Sequence, residues 1–226
     1  YQCRWPARTQ IMSHLYKLSF PKTCQPLNNI VLRDKQNLII KTINPEDVLR
    51  VDYLLAGEGS GLMSGFGHSM LRFVICHQTN RFTKKNLTVE DCAAHTRENI
   101  VVSFRGLVDD LTINSIKGLL GDYESKLLFM TLEDVIQEYN YVELRDLEAY
   151  PLNLNEQDKN LLVKRTLERF WNYSSDYKFL TNNCATETQI LLGSLYNSTL
   201  HMNDSITPYG VLDDLVEIGL TKAKAK

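Results

Sequence analysis

Residues 51–75 read VDYLLAGEGSGLMSGFGHSMLRFVI, and this stretch decides the fold. An apolar run over 51–56 is followed by five glycines within eleven residues, from Gly57 to Gly67, and then by a second apolar run that begins at His68. Apolar and aromatic residues on both sides of a glycine cluster are typical of two strands joined by a loop. The pattern therefore predicts a strand, a loop whose backbone approaches another group closely, and a strand that starts at His68.

Further stretches predict strands of the same sheet. Residues 30–43 carry apolar pairs on either side of a polar turn at 34–37, which indicates a hairpin. Residues 100–104 are predicted to pair with the strand that starts at His68, and residues 141–147 alternate in the manner of another strand.

Helical patterns dominate the second half of the chain. Helices are predicted over 132–139, from Asn155, from Cys184 to Leu192 with Gly193 as the stop, and from Thr207-Pro208. Residues 107–130 show no clear period and are expected to be irregular. Together the elements predict an α+β domain whose sheet is mainly antiparallel, with helices packed around it.

The composition is that of an ordinary globular domain. The chain has 226 residues, 43% of them apolar and 23% charged, with a formal net charge of −2. We expect one domain over residues 1–226, in which residues 1–50 form a Cys- and Pro-rich extension with the hairpin and residues 51–226 form the catalytic core. The chain has no basic run of the kind that binds nucleic acid, and no apolar run reaches the ~18 residues of a membrane span.

The five cysteines divide into two local pairs and one remainder. Cys3 and Cys24 flank one short segment, Cys76 and Cys92 flank a polar one, and Cys184 stands alone. In an oxidising compartment these pairs predict the disulfides Cys3–Cys24 and Cys76–Cys92, each stabilising the fold by about 3 kcal/mol in the chain-entropy model. Cys184 is then a candidate reactive thiol. The alternative is that all five are reduced and that Cys184 is a small core residue.

Cys184 begins a predicted helix, where free backbone N–H groups and a partial positive charge favour the thiolate and can hold an oxyanion. Asn182 and Asn183 precede it and are candidate oxyanion or substrate-positioning donors, with N-capping as an equally good interpretation of Asn183.

Among the histidines, His68 stands between a glycine-rich loop and a strand, where a side chain can be both ordered and exposed. His68 is therefore the candidate base, although sequence separation alone does not pair it with Cys184.

No cofactor and no metal site are predicted. The glycines between residues 57 and 67 do not form a G-x-G-x-x-G motif that opens a helix, which argues against nucleotide binding. The chain contains neither H-E-x-x-H nor C-x-x-C, which argues against a zinc site.

Four segments, taken in order, resemble a known bacterial family. They are residues 65–73 (GFGHSMLRF), 121–123 (GDY), 143–154 (ELRDLEAYPLNL) and 177–184 (YKFLTNNC). Cys3 followed by PAR at residues 6–8 resembles the opening of some members. The family is the one once catalogued as DUF4105 and now associated with the N-terminal periplasmic domain of Lnb, a lipoprotein-modifying acyltransferase.

The resemblance implies a circularly permuted papain-like fold of the NlpC/P60 and LRAT type, in which the histidine strand precedes the cysteine helix. It implies that Cys184 is the nucleophile and His68 its base, and it makes Ser103, on the strand after the histidine strand, a candidate third polar residue. It also implies an exported, periplasmic protein that acts through an acyl-thioester on Cys184.

Three functions stay open at this stage. The first is acyl transfer or hydrolysis on lipoprotein or lipid acyl groups, the second is an amidase or peptidase acting on cell-wall peptide, and the third is a non-catalytic binding module of the envelope. A long apolar groove beside Cys184 would favour the first, and a polar, open cleft would favour the second. The expected partners are a lipoprotein, lipid or peptide of the cell envelope, with peripheral membrane contact, and no nucleic acid.

Overall fold

The secondary structure alternates between strands and helices along the chain. A computed structural model describes residues 4–19, 28–34, 37–60, 64–75, 87–107, 123–193, 195 and 203–222. The strands in this part of the chain are β1 Asn29–Asp34, β2 Asn37–Thr42, β3 Val48–Ala56, β4 His68–Ile75, β5 Ile100–Leu107, β6 Tyr123–Thr131, β7 Leu147–Pro151 and β8 Ser175–Tyr177. The α-helices are α1 Pro6–Tyr16, α2 Val89–Ala93, α3 Leu132–Ile136, α4 Glu156–Asn172, α5 Cys184–Leu192 and α6 Pro208–Glu217. A 3₁₀ turn at Pro45–Asp47 precedes β3, and a π-helix at Gln137–Val142 continues α3.

All eight of these strands belong to one sheet, in the order β2-β1-β6-β5-β4-β3-β7, with β8 paired to the first residues of β6. Neighbouring strands are antiparallel except β1 and β6, which run parallel. The predicted α+β class is therefore confirmed, while the sheet is mixed rather than purely antiparallel. The permuted papain-like topology stays a prediction.

Helices cover both faces of the sheet. On one face, here called the α5 face, Leu71 and Phe73 of β4 share an apolar cluster with α4, α5 and α6. On the other, here called the α3 face, Met70 packs with Val135 of α3 and with Tyr139. Because successive strand residues point to opposite sides of a sheet, the phase of β4 decides which face each of its polar residues occupies.

The helix starts follow the capping residues. The side chains of Asn155 and Asn183 accept backbone N–H groups at the starts of α4 and α5, and Thr207 does the same at α6, where Pro208 occupies the first turn. Each of these bonds satisfies a donor that the helix itself leaves unpaired. The three predicted starts are confirmed.

The prediction of a strand over residues 141–147 is wrong. The π-helix extends α3 to Val142, Leu144 adopts a left-handed φ of 53°, and the strand begins only at Leu147. The apolar side chains that suggested alternation, among them Val142 and Leu144, are exposed. In this stretch the buried residue is Arg145, which donates to the carbonyl of Gly57 at 2.6 Å.

Residues 107–130 were expected to be irregular, and for residues 123–130 this is wrong, because β6 pairs there with β5. The inward positions of β6 include Tyr123, Leu127 and Phe129, but also Ser125. A serine at an inward position hid the alternation in the sequence. Its burial is tolerated because its hydroxyl bonds to Tyr173 Oη at 2.8 Å.

Two of the five cysteines lie in the described residues. Cys184 is a free thiol, as predicted, and it is buried. Cys92 is buried and its thiol is not free. Cys3, Cys24 and Cys76 lie outside the described residues, so the pairings Cys3–Cys24 and Cys76–Cys92 stay predictions.

Candidate functional site

The N-cap of α5 holds Cys184 against the sheet. Asn183 Oδ1 accepts the backbone N–H groups of Ala185 and Thr186 at 2.9 and 3.1 Å. Asn183 Nδ2 donates to the carbonyls of Phe179 and Ile206 at 2.7 and 2.9 Å, so both of its amide hydrogens are used. The N-capping interpretation of Asn183 is confirmed, and the side chain ties the helix start to the segments on either side of it.

Asn182 is also occupied elsewhere. Its side-chain amide donates to Ser175 Oγ at 2.7 Å and to the carbonyl of Asp176 at 2.6 Å, which fastens the turn after β8. Neither Asn182 nor Asn183 contacts the sulfur of Cys184 through its side chain. The groups that approach the sulfur come from Ser69, Ala185 and Tyr177 instead.

The sulfur of Cys184 lies among backbone N–H groups and hydroxyls. The N–H groups of Ser69 and Ala185 approach it, and so does the hydroxyl of Tyr177. The Ser69 hydroxyl lies near both the sulfur and Tyr53, but it makes no hydrogen bond of acceptable geometry among the described residues. These contacts were not foreseen, although Tyr177 falls within one of the segments that resemble the family.

Burial has the largest effect on the pKa of the Cys184 thiol. It raises the pKa of Cys184, and the backbone N–H and hydroxyl of Ser69, with the N–H groups at the helix start, lower that pKa by less than burial raises it. The expectation that the helix terminus would give a thiol pKa below the ordinary value is therefore wrong for this structure. The side chain is almost fully enclosed, and the loss of hydration outweighs the helix dipole.

A small pocket opens at Cys184. Its volume is about 40 Å³. Its lining residues include Phe66, Tyr177, Phe179, Ile206 and Pro208. The lining is mostly apolar and the space is short, so it suits a carbonyl group with a short length of acyl chain better than a polar peptide.

His68 lies on the α3 face. Its Nε2 is 2.8 Å from Ser103 Oγ, and Arg105 Nε donates to the same oxygen at 3.1 Å. Because the arginine uses one lone pair of Ser103, the serine hydroxyl can donate to the imidazole, which is then neutral with its proton on Nδ1. The predicted approach of Ser103 to the imidazole is confirmed, while its catalytic role stays a prediction.

Aromatic and cationic side chains surround His68. The ring stacks on Tyr139 with centroids 6.0 Å apart, and the guanidinium of Arg145 lies 4.9 Å from the Tyr139 centroid. Burial lowers the pKa of His68 well below its usual value, and the charges of Arg105 and Arg145 lower it further. Both arginines are ion-paired, Arg105 with Glu138 and Arg145 with Glu143.

The expected hydrogen bond between His68 and Cys184 is absent. His68 pairs with Ala56, and because paired residues share a face of the sheet, His68 lies with Ala56 on the α3 face. Ser69 follows His68 along β4, so it points to the α5 face, where it contacts the sulfur. No hydrogen bond or electrostatic contact joins His68 to Cys184 within the described part of the chain. The phase of β4, which follows a left-handed Gly67 with φ of 82°, separates the two side chains.

Comparison with known proteins identifies the family of this chain. The model of the Lnb N-terminal periplasmic domain matches residues 34–217. The chain belongs to this family. The family is described as a periplasmic domain, and the protein is therefore periplasmic and part of the cell envelope. No curated protein and no solved structure matches the chain. Among the helices that the structure describes, none has the length and apolar character needed to cross a membrane.

Proposed function

We propose that this Lnb-family domain is a thiol-dependent acyltransferase or hydrolase that forms an acyl-thioester on Cys184. The observation that carries the proposal is a free thiol at the first residue of a nine-residue helix, lining an apolar pocket. The N–H groups of Ser69 and Ala185 beside the sulfur can stabilise the oxyanion that forms when a thiolate attacks a carbonyl.

The chemistry divides into two steps. The sulfur attacks the carbonyl carbon of an O-acyl ester, the tetrahedral intermediate collapses, and the alcohol leaves with a proton while the acyl group stays on Cys184. An amine or a water molecule then takes the acyl group from the thioester, which restores the thiol. The apolar lining around Phe66 and Phe179 supports an acyl group rather than a cell-wall peptide. The pocket of about 40 Å³ is not the long groove that a whole lipid chain would need, so it supports entry of the carbonyl end of that group.

His68 is the proposed base, and this role requires a change at the start of β4. A shift of one residue would turn His68 to the α5 face and Ser69 to the α3 face, beside Ser103 and Arg105. Two features support such a change. Gly67 precedes His68 without a Cβ, and the buried Ser69 hydroxyl, which lies near the sulfur of Cys184 and near Tyr53, makes no hydrogen bond of good geometry among the described residues.

A second candidate is a binding module of the envelope that performs no chemistry. The raised pKa of Cys184 and the absence of a contact with His68 favour it. In this case the pocket would hold an acyl group without forming a covalent bond.

Intact mass spectrometry separates the two candidates. The chain is incubated with p-nitrophenyl esters of short and long acyl chains and, separately, with a cell-wall peptide amide. We expect a mass increase of one acyl group that is absent in Cys184→Ala and that forms at least about 100-fold more slowly in His68→Ala, because general-base catalysis contributes this much. His95→Ala, a histidine in the turn after α2, is the matched control and should retain the rate.

The opposite result would exclude the enzyme. If no ester acylates the chain, while binding of a long-chain acyl ester is equal in the parent chain and in Cys184→Ala, the binding module is correct. Acylation by the peptide amide and by none of the esters would instead assign the site to an amidase.

A further inference from the structure

The hydroxyl of Tyr177 lies at the start of α5, beside the proposed nucleophile. Tyr177 is the last residue of β8, Cys184 is the first residue of α5, and both line the same apolar pocket. The tyrosine hydroxyl approaches both the sulfur and the backbone N–H of Cys184. A side chain with a polar hydrogen therefore lies next to the space in which an acyl carbonyl would reach the sulfur.

Packing holds the ring of Tyr177 in this position. A Cβ at Gly106 of β5 would lie 3.0 Å from Cγ of Tyr177, so the ring lies directly against the backbone of that strand. The ring of Phe179 contacts it edge-on, with centroids 6.2 Å apart, and Tyr177 pairs with Tyr123 in the sheet. The hydroxyl is thus placed at the helix start before a substrate enters, and a donor that is placed in advance needs no reorganisation during the reaction.

The contacts of the hydroxyl make it a hydrogen-bond donor. Its oxygen accepts the backbone N–H of Cys184, which leaves its one hydrogen to donate towards the sulfur. Burial raises the pKa of Tyr177, so the hydroxyl stays protonated at pH values around neutrality and is not a base there. The N–H that it accepts also polarises the O–H bond and strengthens it as a donor.

Tyr53 is also close to the sulfur, but its hydrogen is used elsewhere. The Tyr53 hydroxyl donates to the carbonyl of Pro208 at 2.7 Å, and its side chain is completely buried. Tyr177, in contrast, contributes to the wall of the pocket. Of these two tyrosines, Tyr177 is the one whose hydroxyl can follow a reacting carbonyl.

We propose that Tyr177 is a catalytic residue, whose hydroxyl donates a hydrogen bond to the oxyanion formed during attack by Cys184. This inference rests on the acyl-thioester chemistry proposed above. As the C–S bond forms, the electron pair of the carbonyl double bond moves onto the carbonyl oxygen, and the Tyr177 hydroxyl donates to that oxygen while it keeps its own proton. When the intermediate collapses, the pair returns to the double bond, the C–O bond to the alcohol breaks, and the alcohol leaves with the proton that came from the thiol.

Tyr177→Phe removes the hydroxyl and keeps the ring against Gly106. With p-nitrophenyl acetate, the maximal rate of acylation should fall about 100-fold while the half-saturating concentration changes less than about 3-fold, because the bond forms only in the transition state. The matched control is Tyr173→Phe, which removes a hydroxyl that bonds to Ser125 and Glu187, both at 2.8 Å, and should retain the rate. Equal rates of acylation in Tyr177→Phe and the parent chain would overturn the proposal.

Alkylation by iodoacetamide separates this role from a purely structural one. The reaction forms a bond to sulfur without an oxyanion, so Tyr177→Phe should slow it by no more than about 5-fold, the effect of losing one hydrogen bond to the sulfur. Losses of equal size in alkylation and acylation would show that Tyr177 only shapes the site.

A trifluoromethyl ketone tests the inference without an ester. Trifluoroacetone adds to a thiol to give a hemithioketal whose oxygen resembles the oxyanion, and fluorine NMR measures its dissociation constant. We expect an adduct that is absent in Cys184→Ala and at least about 10-fold weaker in Tyr177→Phe than in Tyr173→Phe or the parent chain. Equal affinities in Tyr177→Phe and the parent chain, or no adduct in the parent chain, would overturn the proposal.

The two proposals can fail separately. If no ester acylates the chain but the ketone adduct weakens in Tyr177→Phe, the acyl-transfer function is wrong and the oxyanion contact is correct. If esters acylate Cys184 equally fast with and without the Tyr177 hydroxyl, the function is correct and the role of Tyr177 is wrong.

Discussion

The backbone N–H of Ser69 approaches the sulfur of Cys184, which places the start of α5 directly over the first residues of β4. His68 precedes Ser69 and points to the opposite face of the same strand, towards Ser103. Rotation of the imidazole about its side-chain bonds cannot bring it through the sheet, because β3 and β5 flank β4 on both sides. Only a change in the backbone at the start of β4 can join the proposed base to the proposed nucleophile.

Alkylation of Cys184 by iodoacetamide should require a pH above the ordinary thiol pKa of about 8.5. Burial raises the pKa of this thiol, so the reactive thiolate forms later as the pH increases. The measurement is the alkylation rate against pH, followed by intact mass. In the chain without substrate, His68→Ala should leave the midpoint unchanged.

Two outcomes of this experiment would contradict the structure. A midpoint clearly below pH 8 would mean that the helix terminus outweighs burial. A midpoint that rises in His68→Ala would mean that the imidazole reaches the sulfur even in the absence of substrate.

The free energy of unfolding should fall in mildly acidic solution because of His68. Burial and two arginines hold its pKa in the folded chain well below the unfolded value of about 6.5, so the unfolded chain takes up this proton first. The contribution of neutral His68 is therefore complete above about pH 6.5 and is lost as the pH falls from there towards the folded pKa. Urea unfolding between pH 7.5 and 5 should show a smaller loss of stability in His68→Gln than in the parent chain. If the free energy of unfolding falls with pH equally in the two proteins, His68 is not the group that causes the loss of stability.

Replacement of Asn183 should destabilise the chain more than replacement of another helix cap. Asn183→Ala removes the cap of α5 and both side-chain bonds to the carbonyls of Phe179 and Ile206, which together cost about 2 kcal/mol. Asn155→Ala removes the cap of α4 and should cost about 1 kcal/mol. Urea unfolding at pH 7 gives both values. An equal or smaller loss in Asn183→Ala would show that its bonds beyond the cap contribute nothing.

The sequence by itself determined the local features of this protein. The strands on either side of the glycine loop, the helix that starts at Cys184 and the starts at Asn155 and Thr207 all follow from periodicity and capping, which act within a few residues. The segments that resemble the family also led to the correct family. Where a local pattern was broken by a buried polar residue, as at Ser125 in β6, the prediction was wrong.

Tertiary structure alone decided how the distant pieces meet. The pairing of His68 with Ala56 turned the imidazole to the α3 face, and a one-residue difference in that phase would have turned it to Cys184. Burial reversed the expected direction of the thiol pKa, since the enclosure of the sulfur depends on segments from several parts of the chain. The start of α1 bonds to Glu168 of α4, which is 161 residues from Ala7, and no local pattern in the sequence marks this contact.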